Sequence, residues 1–244
     1  MERGSSGLMT IDYEFQLMCA VRLGHWVYGQ FDCGQHPHDT QHALGKQMVG
    51  LLGQNLLSRE GFHGLGTRRH HSIRDVIIGM VRAADLSPQS EPVGYMDGSH
   101  KPDIVCRRLN DPLQLLALDV TVAHTGSSSA LRIHSDSVPG AAAAKAEDSK
   151  RAHYTKHHLQ QGVQLTTLAF ETYGRETQET AGFIKMVCQK AIGYEQGWQH
   201  HPFSRRWRCR IHTALQVGNA RLIRRHLQHH HSRPLHVGDT GAQS

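Results

Sequence analysis

The chain has 244 residues, 38% of them hydrophobic, with a formal net charge of +6 at neutral pH. That is enough apolar material for one sizeable core, although a mean hydropathy of -0.48 indicates a polar periphery. The longest apolar run, Leu115–Ala123, contains an aspartate and is too short to span a bilayer. No apolar segment follows the opening MERGSSG as a secretory signal would require. The five cysteines, Cys19, Cys33, Cys106, Cys188 and Cys209, are odd in number, widely spaced and without a CxxC pair. A disulfide framework is therefore not expected, and an intracellular, reducing setting is.

In chain order, residues 12–57 hold a short helix-like start (YEFQLMCAVRLG), a Cys/His cluster and glycine-punctuated turns. Ile73, Ile77, Val81 and Ala84 then recur at i, i+4, i+8 and i+11, which predicts an amphipathic helix with Ser72 placed to cap it and Pro88 ending the pattern. Three strand candidates follow, Pro92–Met96, Asp103–Leu109 and Leu115–Ala123, separated by DGSH and NDP. Alanine-rich Ala141–Gln161 reads as a helix closed by Gly162. Val163–Thr172 reads as a strand, Gln178–Ile192 as a helix, and the arginine-rich tail as helical too. No internal repeat is present. The central order is helix, three strands, helix, strand, an α/β (mixed α+β) pattern. It suggests an N-terminal segment over 1–60, a core over 61–175 and a basic C-terminal region over 176–244.

Within HKPDIVCRRLNDPLQLLALDVTVAHT, Asp119 interrupts an apolar strand, where a charge is costly unless something pairs with it. Alternation puts Leu116, Leu118, Val120 and Val122 on one face and Leu115, Ala117, Asp119 and Thr121 on the other. Asp103 opens the preceding strand. If the two strands are neighbours, two carboxylates meet on one side of the sheet and repel unless they share a proton or a cation. Such oxygen ligands suit a hard ion such as Mg²⁺. The residues alone equally allow Asp103 in a turn and Asp119 capping a ladder or pairing with an arginine.

Charge is distributed unevenly. Residues 196–238 contain eight arginines, Arg205, Arg206, Arg208, Arg210, Arg221, Arg224, Arg225 and Arg233, and no acid. So one-sided a stretch attracts polyanions, nucleic acid first among them; a solvated basic tail without a specific partner is the other reading.

Taken in order, FDCGQHPHDTQHALGK, RRHHSIRDVI, SEPVGYM, KPDIV, LALDVTV, AEDSKRAHY, LAFETYG and RIHTALQVGNARLI resemble the restriction-like endonuclease region at the C-terminus of site-specific non-LTR retrotransposon reverse transcriptases. The likeness covers most of residues 15–225, and that region has the PD-(D/E)-x-K nuclease fold. The resemblance implies a restriction-endonuclease-like αβββαβ core that nicks DNA by Mg²⁺- or Mn²⁺-dependent phosphodiester hydrolysis, the released 3′-hydroxyl priming reverse transcription. Asp103 matches the acid of the Pro-Asp element and Asp119 the second acid, and with the backbone carbonyl of Val120 they would hold the metal. The usual lysine slot two residues on is Thr121. Some members of the fold supply that lysine from the next helix, where Ala142, Ala146, Lys150 and Tyr154 share one stripe, so Lys150 is the catalytic candidate. Glu91 and Glu171 are supporting acids at most.

The family also carries a CCHC zinc element ahead of the nuclease. Here only Cys33 and His42 match its ligand positions, with Phe31 and Lys46 where cysteines are expected; Cys33, His36, His38 and His42 form an alternative set. Arg69 and His70 match a basic pair implied to touch the DNA backbone, alongside Arg205, Arg206, Arg208 and Arg210 of the tail. The reverse transcriptase that precedes this region in the family is absent from the sequence. The chain then reads as a C-terminal piece, a separate gene or a relic. The implied partners are DNA, RNA as a secondary ligand, and a reverse transcriptase encoded elsewhere; no membrane is implied, and the implied location is nuclear. Two functions stay open: an active nuclease, and a nucleic-acid-binding relic without catalysis.

Overall fold

In the computed structural model the described residues are 42–44, 47–49, 57, 64–97, 100–108, 114–135, 137–156, 159–193 and 197–231. The chain divides into a unit of Leu57–Asn219 and a second made of Met1–Leu56 with Ala220–Ser244. In the second, β1 (His42–Leu44) pairs antiparallel with β2 (Gln47–Val49).

The larger unit is mixed α/β. Helix α1 spans Leu65–Ala83 and buries Ile73, Ile77, Ile78, Met80 and Val81. It begins after Gly64, whose φ of 95° suits a residue without a Cβ. Ser72 is therefore not the cap that the apolar spacing suggested. It lies within the helix, where its hydroxyl donates to the Arg68 carbonyl at 2.8 Å. The polar turns before Ile73 continue the helix without showing apolar periodicity.

Four strands follow in the order β3 (Gln89–Ser90), β4 (Ile104–Arg107), β5 (Leu115–Ala123) and β6 (Val163–Glu171). The first three are antiparallel neighbours, and β6 runs parallel to β5. A parallel neighbour needs a crossover, here α2 (Ser128–Leu131) and α3 (Ala141–Lys156). Beyond β6 come α4 (Gln178–Ile192), a 3₁₀ turn at Trp198–His200, and α5 (Pro202–His231). Among the described residues, five helices and a four-stranded mixed sheet bear out the mixed α/β class.

Three details differ from the sequence expectation. The edge strand is Gln89–Ser90, whereas Pro92–Met96 forms bends, as Pro92 and Gly94 (φ 89°) favour. Helix α3 stops at Lys156, and Gly162 (φ 85°) lies in the turn into β6 instead of closing the helix. The core also continues past residue 175. Phe183, Ile184, Val187, Trp207, Ile211 and Leu215 join Ile73, Ile77, Leu116, Leu118, Val120, Leu168 and Phe170 in one cluster.

Alternation along β5 decides the layers. Leu116, Leu118 and Val120 pack under α1, α4 and α5, while the opposite face, carrying Ala117 and Asp119, meets α3. Buried Ala142 and Ala143 keep α3 close to the sheet. On α5, Trp207 lies over Gly79 of α1, where a Cβ would come within 3.0 Å of its ring. The free edge of β6 is covered by the start of α4. The Thr167 amide donates to Glu179 at 3.2 Å and the Ala169 amide to Thr180 Oγ1 at 2.8 Å, which blunts an edge that would otherwise offer open donors.

Because Ile211 is 1% exposed, Ile211→Ala is expected to lower the unfolding free energy by about 2–5 kcal/mol. Urea denaturation checks this; a loss near zero would mean that α5 is not part of the core.

Candidate active site

The site forms where β4 and β5 begin to part. The last paired rung is Ile104↔Leu118, so the next position of the same register sets Asp103 opposite Asp119, on one face. Asp103 continues the ladder with its side chain: Oδ2 accepts from the Val120 amide at 2.7 Å. Its Oδ1 lies 3.0 Å from His70 Nε2 of α1, and its carbonyl accepts from the Glu91 amide at 2.9 Å. Both carboxylate oxygens are thus held in place.

Asp119 is 4% exposed. Its Oδ1 accepts from Tyr154 Oη at 2.9 Å and from Lys150 Nζ at 3.2 Å. Nζ also stands 3.0 Å from Oδ2, which is buried and has no hydrogen bond. Lys150 and Tyr154 are one turn apart on α3, so one helical stripe delivers both. Burial first, and then the Asp103 charge, push the Asp119 carboxyl above its ordinary range, against the opposing pull of Lys150 and Tyr154. Burial, then the charge on Asp119, likewise pushes the Tyr154 phenol up, so it stays a donor at neutral pH.

The structure brings Asp103, Asp119 and Lys150 together. His70 joins them through Asp103. Arg69 does not: its Nη1 donates to Asn219 Oδ1 at 2.7 Å, and Asn219 Nδ2 donates to the Thr172 carbonyl at 2.7 Å. Burial lowers the Arg69 pKa to about 10. Arg69 thus ties α1 to α5 and stands apart from the carboxylate pair. Consecutive helix residues point about 100° apart, which is why Arg69 and His70 part company. In the tail, Arg208 pairs with Glu176 at 2.9 Å. Arg205, Arg206 and Arg210 are exposed, the last two flanking Trp207 with guanidinium carbons 5.8 and 5.0 Å from its ring centre. Glu171 lies at the far end of β6, level with Ala123 and four residues beyond the rung of Asp119. Cys33, His36 and His38 lie outside the described residues, and of His42 only the backbone is described.

Sequence reading missed Tyr154 as a ligand of Asp119 and Glu91 as the centre of a cation cluster. Only the i+4 spacing from Lys150 pointed to the tyrosine. Glu91 accepts from Arg74 Nη1 and from Lys101 Nζ, the latter at 2.6 Å.

Among the described residues no three His, Cys, Asp or Glu side chains are gathered to ligate a metal. A divalent ion here would draw on two carboxylates, the Val120 carbonyl and water, a donor set that suits Mg²⁺, which keeps several waters. Oδ2 of Asp119 is buried and takes no hydrogen bond beyond the ion pair with Lys150, and two adjacent carboxylates fit a cation. Lys150 supplies part of that positive charge. No family model matches the chain, and no curated protein matches its sequence.

A raised folded pKa contributes stability below the ordinary aspartate range that is lost as pH rises through the folded value. Asp119→Asn is accordingly expected to raise Tm at neutral pH, by about 2–4 °C for each kcal/mol relieved, and to flatten that decline. Mg²⁺ is expected to raise the Tm of the parent but not of Asp119→Asn. Thermal scans with and without Mg²⁺ decide both, and equal shifts in the two proteins would remove the ion from this site.

Proposed function

We propose that the chain is a metal-dependent DNA endonuclease of the restriction-endonuclease-like class and of retrotransposon origin, which nicks target DNA by phosphodiester hydrolysis. One observation carries the reading: Asp103 and Asp119 sit on facing strand positions with Lys150 on Asp119. The arrangement of α1, β3 to β5, α3 and β6 is compatible with the αβββαβ core.

Asp103, Asp119 and the Val120 carbonyl would hold Mg²⁺ or Mn²⁺, which when bound acidifies water and offsets charge on the pentavalent transition state. The protein's own contribution is positional. The Val120 amide and His70 fix both oxygens of Asp103. Tyr154 holds Oδ1 of Asp119, and Lys150 stands 3.0 Å from Oδ2, where a metal would have to share the carboxylate with it. Lys150, with its side chain 37% exposed, reaches both the acid and solvent. As a point charge it can orient the attacking water or the scissile phosphate. Arg205, Arg206 and Arg210 supply phosphate contacts along the strand.

A second reading, a nucleic-acid-binding relic without catalysis, is favoured by one feature: Thr121 stands in the lysine slot two residues after Asp119.

Nicking of supercoiled plasmid decides between them. Mg²⁺ or Mn²⁺ is expected to support nicking, EDTA to abolish it, and Asp119→Asn to lower the rate about 100-fold or more while DNA binding persists. Equal nicking by Asp119→Asn and the parent would place the activity elsewhere; binding without nicking would leave the relic. Replacing Arg205, Arg206 and Arg210 by Gln is expected to flatten the dependence of log Kd on log salt by roughly 0.9 for each phosphate no longer neutralised.

A further inference from the structure

Beside the carboxylate pair, three basic side chains from two elements converge on one acid. Glu91 Oε1 meets Arg74 Nη1, with His71 Nε2 at 3.7 Å, and Oε2 meets Lys101 Nζ at 2.6 Å. His71 and Arg74 lie at i and i+3 on α1, and Lys101 precedes the Pro102-Asp103 step. Asp75 holds Arg74 through Nε at 3.1 Å and Nη2 at 3.0 Å, leaving Nη1 to point at Glu91. The hydrogen bond from Lys101 keeps the Glu91 carboxyl below its ordinary range, so it stays an anion at neutral pH. The cluster is open to solvent, with Lys101 and His71 each 43% exposed. It lies next to the proposed reaction centre, since the Glu91 amide bonds the Asp103 carbonyl at 2.9 Å.

Glu91 itself has φ 46°, a left-handed conformation that is costly for a residue with a Cβ. Strain of this kind gathers at ligand clamps and switch regions. An arginine held on one side, a lysine and an imidazole around a single carboxylate make a donor set that also suits phosphate.

We propose that Arg74, Lys101 and His71 form a subsite for a backbone phosphate of nucleic acid, adjacent to the scissile one, and that Glu91 occupies it as an internal anion until a strand displaces it. The proposal rests on the nuclease reading for the direction of the strand past Asp103. Its chemistry is separable: a phosphodiester replaces a carboxylate among the same three donors. Glu91 then tunes affinity. It keeps the cations gathered when no strand is present and subtracts one charge from the field that a strand meets.

The test measures binding of the full chain to a short DNA duplex in EDTA, over a range of salt, for the parent, Glu91→Gln, Lys101→Met and the double variant. Glu91→Gln is expected to bind about threefold to tenfold more tightly at low salt, with a salt slope steeper by about one. Lys101→Met is expected to weaken binding about threefold with a shallower slope, and in the double variant to cancel the gain. An unchanged or weaker affinity for Glu91→Gln at an unchanged Tm overturns the subsite. If Glu91→Gln does not fold, Lys101→Met decides alone, and an unaltered Kd and slope overturn the proposal. Inorganic phosphate titrated alone separates the sources: binding of free phosphate to Glu91→Gln without any gain for DNA overturns the assignment to a strand. Plasmid nicking by the parent is scored independently. Nicking without the Glu91→Gln gain removes the subsite and keeps the nuclease; the gain without nicking removes the nuclease and keeps the subsite.

Discussion

Where β4 begins, the main-chain ladder gives way to a side chain. Asp103 Oδ2 takes the Val120 amide, a donor that a continuing strand would have bonded with a carbonyl. The bond does two things at once. It satisfies a strand amide that could not be left unpaired in the interior, and it pins a carboxylate next to Asp119. The other oxygen meets His70, so α1 is tied to the sheet at the same point. Everything else in the site is arranged around this substitution of a carboxylate for a peptide carbonyl.

Placing two acids together on a buried face sets opposing costs against one another. Burial and mutual repulsion disfavour the charged form of Asp119, while Lys150 and Tyr154 favour it, and the balance still leaves its carboxyl raised. A fold selected for stability alone would place apolar residues here, as it does on the opposite face of β5 with Leu116, Leu118 and Val120. Keeping two acids with one lysine in this position is the kind of perturbed cluster that gathers at functional sites.

The basic residues sort by partner rather than by position in the chain. Arg69 donates to Asn219, and Arg208 pairs with Glu176. Arg74 and Lys101 converge on Glu91 beside the site. Arg205, Arg206 and Arg210 face solvent. A count of arginines in the tail therefore overstates its free positive charge, since Arg208 is paired with Glu176.

Much of the frame was legible in the residues. Leu115–Ala123 and Gln178–Ile192 were read with their boundaries, because a period of two and a period of 3.6 are local properties of side-chain burial. Alternation also placed Asp119 opposite the apolar row, and the i+4 stripe of α3 placed Lys150 toward it. Other features depended on contacts distant in sequence. Ser72 has the residue type of a cap, yet α1 starts earlier because its polar first turns carry no apolar signal. Arg69 and His70 are adjacent and chemically similar, and only the approach of α5 on one side and Asp103 on the other gives them different roles. Glu91 became a cation-binding centre through residues on α1 and before β4. Periodicity records which face of an element is buried; it does not record what arrives on the other face. That was decided by tertiary packing, which brought β4 beside β5, α3 beneath them and α1 across their ends.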